Sequence, residues 1–96
     1  MYEWWPGAKA LIRKAGVESW EVIEVLYSAR RWPRPARTHE GLQVLTVWGR
    51  TDAGRPLVVV LRHLSQTDET NSWQIVLAAP MGPRQLEEFT AWEAQQ

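Results

Sequence analysis

Arg62 and His63 sit side by side at the end of an apolar run, Leu57 to Leu61, and Arg50 and Arg55 flank a short polar stretch just before it. Arg84 stands alone further on, after Pro83. A guanidinium is a rigid fork of donors that suits phosphate oxygens. An imidazole titrates near neutral pH, so His63 is the best proton-transfer group in the chain, ahead of His39, Glu40 and Glu87. Together these groups could hold an anion and move a proton beside it. The plainer alternative is a solvated hairpin pair for Arg50 and Arg55, and an exposed strand end for His63.

A second constellation lies between Arg30 and Glu40, where Arg30, Arg31, Arg34 and Arg37 surround Trp32. Cations interleaved with an aromatic ring are what a single-stranded nucleic acid needs, charge for its phosphates and a face on which a base can stack. Here too a structural role competes: Trp32 could plug the edge of the core while the arginines stay in water. Charge is unevenly distributed in the same sense. Residues 1–62 carry ten Lys and Arg against six acids, and residues 63–96 one Arg against five acids, although the total is zero. Such a split marks either a basic surface for an anionic partner or two halves that attract each other.

Other chemistries are excluded. Without cysteine there is no disulfide frame and no thiolate metal site. Two histidines far apart make a metal centre a poor fit, so no metal or other cofactor is expected. Neither a glycine-rich phosphate loop nor a nucleophile elbow is present. The start, Met1 to Pro6, has no basic, apolar signal-peptide pattern, and no apolar stretch approaches the roughly 18 residues that span a bilayer. The expectation is a cytoplasmic protein with no membrane partner.

The elements that must position these groups follow from periodicity. Pro6 and the spacing of Ala8, Leu11, Ile12 and Ala15 predict a helix over 6–15, with Val17 folding back on its last turn. Ser19 as N-cap opens a second helix to about Ala29, with Trp20, Ile23, Tyr27, Val22 and Leu26 on a broad apolar side. Pro33 and Pro35 make 30–40 a stiff, extended loop. Three strands then form an antiparallel meander from about Leu42 to Ala79: Leu42–Trp48, a turn at Gly49–Gly54, the central run Leu57–Leu61, a loose loop at 65–72, and Trp73–Ala79. A last helix runs from about Pro83 to Glu93, with Leu86, Phe89 and Trp92 inward and Glu87, Glu88 and Glu93 outward. The fold class is α+β, one domain over residues 1–96, with the meander packed by two N-terminal helices and one C-terminal helix. Seven tryptophans exceed what so small a core needs, so one or two should lie on a surface that meets something else.

With the elements in this order, particular stretches resemble the BrnT-type toxins of bacterial toxin–antitoxin pairs, members of the RelE-like superfamily. Tyr2-Glu3-Trp4-Trp5-Pro6 through Lys9 is similar to the family's opening, an aromatic followed by Glu-Trp-Asp-Pro and a lysine-bearing helix. Lys14-Ala15-Gly16-Val17 and Ser19-Trp20-Glu21 resemble its Lys-His-Gly-Val and Ser-Phe-Glu. Trp48 through Val60 resembles its glycine hairpin and Gly-Arg-x-Leu-x-Val strand, and Gln74 to Ala79 sits where the family has a strand ending Ser-Ala-Arg. Glu87 and Glu88 fit its trailing helix. Three positions depart: Trp5 replaces the family's Asp, Ala15 its His, and Ala79-Pro80 the arginine that closes the third strand.

The resemblance implies a RelE-like fold, cleavage of mRNA and silencing by a cognate antitoxin protein. Cleavage through the 2′-hydroxyl needs a base, an acid and cations around the phosphorane. On that reading His63, Arg62, Arg50, Arg55 and Arg84 are the catalytic candidates, metal-independent, and Arg30, Arg31, Trp32, Arg34 and Arg37 contact RNA. The departures open a second reading: a toxin-shaped module that has lost catalysis and binds protein or RNA.

Overall fold

Among the described residues the sheet has five strands, two more than the meander alone. The computed structural model describes residues 2–63 and 72–96. In chain order it holds β1 (Tyr2–Trp4), α1 (Ala8–Lys14), α2 (Ser19–Leu26), β2 (Trp32–Arg37), β3 (Gln43–Arg50), β4 (Pro56–His63), β5 (Trp73–Pro80) and α3 (Pro83–Glu93). The strands lie in the order β1-β5-β4-β3-β2. The meander β3-β4-β5 is antiparallel throughout, and β1 joins it parallel to β5. The loop read at 65–72 lies almost wholly outside the described residues. Among those residues no helix is long and apolar enough to cross a membrane.

Alternation along β4 divides the sheet into two faces. Leu57, Val59 and Leu61 are buried and join Val47, Ile75 and Ala78 in one cluster with Ile12 and Val17 and with Val22, Val25 and Leu26 of α2. Both N-terminal helices therefore cover this first face. As the spacing predicts, Val17 folds back, its N–H donating to the Ile12 carbonyl at 2.9 Å. Val58 and Val60 point to the second face, where Trp48 and Thr46 stand beside them in register. On that face α3 covers one half of the sheet with Phe89, which is fully buried.

Four expectations need correction. The segment 30–40 is no free loop, because Trp32–Arg37 pairs along β3. Proline lacks a ladder donor but is tolerated on an edge strand, which is where Pro33 and Pro35 lie. Gly49 and Arg50 belong to β3 rather than to the turn, which spans Thr51 to Gly54 and closes with the Gly54 N–H donating to the Thr51 carbonyl at 2.8 Å. Gly54 takes the left-handed conformation (φ 92°) that this turn demands. Trp20, Ile23 and Tyr27 are exposed, because valines and Leu26 on the opposite side of α2 fill the space against the sheet. Finally, Glu93 does not face out but turns back to β3.

Candidate functional site

The hairpin between β3 and β4 sends its two arginines to opposite sides of the sheet. Arg50 reaches α3, its Nε lying 3.2 and 3.0 Å from the two Glu93 carboxylate oxygens and its Nη2 2.9 Å from Oε1. Its Nη1 also donates to the Gly54 carbonyl at 3.1 Å. The hydrogen bonds to Glu93 raise the Arg50 pKa above its ordinary value. Arg55 reaches α2, its Nη1 lying 2.9 and 3.1 Å from the Glu21 oxygens. Glu21 is itself buried and also accepts from the Glu18 backbone N–H at 3.0 Å. That backbone bond, together with Arg55, holds the Glu21 carboxyl below its usual range against the opposing effect of burial. Both hairpin cations are therefore neutralised by carboxylates.

Neighbours on one strand face opposite ways, and this separates Arg62 from His63. Arg62 points to the second face and donates through Nε to Gln74 Oε1 at 3.0 Å, with Nη2 on the same oxygen. A carboxamide carries no charge to offset the guanidinium, and Arg62 has no ion pair among the described residues. His63 lies edge-on to Trp73, ring centroids 4.6 Å apart, in a cleft shared with Pro35, Arg37 and Leu45. Arg84 is exposed in the first turn of α3 and has no ion pair among the described residues. The four arginines and one histidine expected to act together are thus dispersed over both faces, on β3, the turn after it, β4 and α3.

The expected RNA-contacting group is dispersed as well. One face of Trp32 stacks on Trp92, rings 5.2 Å apart and 5° from parallel, and Arg34 lies over the Trp32 ring at 4.3 Å. Arg34 also covers Trp48 and pairs with Glu88 at 3.3 Å. Trp32 is therefore a rivet between β2 and α3, its ring engaged by Trp92 and Arg34. Arg31 donates to the Ser28 carbonyl at 2.8 Å. Arg30 lies in the turn before β2 and Arg37 at its far end, both exposed.

What the second face does assemble is an open groove of about 590 Å³ on the half that α3 leaves bare. Its walls are Trp5, Leu11, Leu42, Val44, Val60 and Leu77, and Arg62, Glu40 and Thr38 add polar groups. Leu42 and Leu77 are 56 % and 40 % exposed, a poor use of leucine unless something covers them. Reading the sequence for charge overlooked this surface. The signal for it was the alternation of Leu42 and Val44 away from the core positions of β3, together with the surplus of tryptophan. Comparison with family models finds no match for this chain, and comparison with curated proteins finds none either.

Proposed function

We propose that the chain is a toxin-like binding module of the BrnT and RelE kind that seats an apolar segment of an antitoxin-like protein in its sheet groove and does not cleave RNA. The observation that carries this reading is the groove itself, an apolar floor on an open sheet face with Arg62, which has no ion pair among the described residues, at its margin. An amphipathic segment with apolar anchors and an acidic neighbour for Arg62 is its natural occupant. Two helices, the meander and a closing helix follow one another in the order on which the resemblance rests, with β1 ahead of them and β2 in place of the expected basic loop, and this supports the same assignment. Against catalysis stand the carboxylate partners of Arg50 and Arg55 and the opposite orientation of Arg62 and His63.

One observation favours the nuclease reading, since Arg62 and Glu40 line the same groove and could serve as phosphate cation and proton acceptor. Expression in bacteria with pulse-labelled translation separates the two. A binding module leaves growth and mRNA intact and co-purifies with the product of an adjacent gene, and Leu77→Glu or Leu42→Glu abolishes that capture in a folded protein. Growth arrest that Arg62→Ala and Glu40→Gln relieve would establish the nuclease instead.

A further inference from the structure

The last row of side chains on the first face breaks the apolar pattern behind it. Strand register sets Pro35 beside Leu45, Leu45 beside Leu61 and Leu61 beside Ile75, an apolar row at the edge of the core. Two residues further out along each strand, on the same face, stand Arg37, Gln43, His63 and Trp73. Arg37 pairs with Gln43 and His63 with Trp73 in register. With Pro35 and Leu45 these four line an open cleft of about 540 Å³. That volume lies in the range of small-molecule sites, which join an apolar wall to a few convergent polar groups. The sheet separates this cleft from the groove around Arg62.

We infer that this cleft binds a small molecule carrying one anionic group, a carboxylate or a phosphate, on an apolar body. The guanidinium of Arg37, the carboxamide of Gln43 and the imidazole of His63 all offer donors that an anion accepts. Two strand spacings, about 10 Å, separate the backbones of Arg37 and His63, a span that the long arginine side chain shortens. Pro35, Leu45 and the half-buried Trp73 give an apolar body its contact surface. Among the described residues no carboxylate lines the cleft. Glu40, the acid nearest to Arg37 in sequence, lines the groove on the other face instead. Arg13, Arg34, Arg50 and Arg55 each meet a glutamate, whereas Arg37 has no ion pair among the described residues. A cation without a carboxylate, set beside further donors, favours an anionic ligand over a neutral or cationic one. The apolar wall favours an anion that carries a body over a bare inorganic ion. This site is independent of what occupies the groove.

Phenyl phosphate and benzoate, titrated separately into the isotope-labelled full chain and followed by NMR, test this. At least one should bind saturably with a Kd of about 0.1–3 mM, as suits a ligand of some ten heavy atoms. The backbone amides of Gln43 and His63 and the indole N–H of Trp73 should shift most. Tighter binding of phenyl phosphate assigns a phosphate headgroup, and tighter binding of benzoate a carboxylate. Benzyl alcohol, which has the body without the charge, and inorganic phosphate and acetate, which have the charge without the body, should each bind about tenfold more weakly or not at all. Arg37→Gln should weaken binding about tenfold and His63→Gln about threefold. Both residues are exposed, so both variants should keep the fold. Leu77→Glu, in the groove, should leave binding unchanged. No saturable shift up to about 20 mM, an equal response to benzyl alcohol, an Arg37→Gln variant that binds as the wild type does, or shifts centred on the groove would each overturn the inference.

Discussion

Arg50 and Glu93, 43 residues apart in the chain, meet as a two-pronged ion pair that fastens α3 to the end of β3. The pair is about two-thirds or more buried on both sides, and Arg50 also packs over the Phe89 ring at 5.6 Å. Charge-assisted, bidentate geometry of this kind exceeds an ordinary surface bridge. Glu93→Gln should therefore cost about 1–2 kcal/mol, seen as a fall in melting temperature of roughly 5–10 °C for a domain of this size. A double-mutant cycle with Arg50→Ala should return a coupling of about 1 kcal/mol, whereas pairing Glu93→Gln with Arg30→Ala should give additive losses.

Glu21 and Arg55 make stability depend on acid. The folded-state carboxyl of Glu21 lies below its ordinary 4.5, first because it accepts the Glu18 N–H and then because Arg55 binds it. A group whose folded pKa is depressed contributes stability that is complete above its unfolded value. That contribution is lost as pH falls below about 4.5 and through the lower folded value. Urea midpoints measured from about pH 7 down to about pH 3 should fall in the wild type over that acid window. In Glu21→Gln the curve should start about 1 kcal/mol lower at neutral pH, a figure discounted for the partial exposure of Arg55, and should be flatter in acid.

The meander was legible because its evidence is local: a β-branched run, a turn with glycine at its left-handed position, and a second apolar run. The two outer strands were not. Pro33 and Pro35 argue for an extended loop on their own, and only the edge position in the sheet makes them compatible with β2. Tyr2–Trp4 is too short to show alternation, and its partner β5 begins some seventy residues later, so its parallel pairing leaves no local trace. Helix α2 offered two apolar sides, and periodicity alone does not say which one the sheet will take. The same limit governed the site. An arginine reads identically whether it will meet phosphate or carboxylate, and the partners that decide the matter, Glu93 for Arg50 and Glu21 for Arg55, are 43 and 34 residues away.

Trp32 joins β2 to α3 through its stack on Trp92, and Arg34 lies over the same ring. Trp32→Ala should destabilise the fold by about 2 kcal/mol, less than a fully buried tryptophan because the ring is only half-buried. Arg34→Lys, which keeps the charge but loses the planar stack, should cost about 0.5–1 kcal/mol. Any affinity of the chain for single-stranded RNA should be the same in Trp32→Phe as in the wild type, measured where both are folded. A loss of RNA binding with unchanged stability would mean that a base reaches this ring after all.

Gly49 lies in β3 where the sheet approaches Val25 of α2 closely. A Cβ placed there would stand 3.0 Å from Val25 Cγ1, with the Val25 carbonyl and Arg31 Cβ only 3.7 and 3.8 Å away. Val25 is fully buried and β-branched, so its methyl has no free rotamer into which to retreat. Gly49→Ala should therefore destabilise by about 1–3 kcal/mol through overpacking, although alanine suits a strand better than glycine does. Val25→Ala alone should also destabilise, through a lost methyl pair and the cavity left behind. Combined, the two changes should be less harmful than the sum of their separate costs, because the new methyl occupies the space the old one leaves. Chemical denaturation of the four proteins measures this directly. Strict additivity would mean that the close approach of Gly49 to Val25 is not what requires glycine at this point in β3.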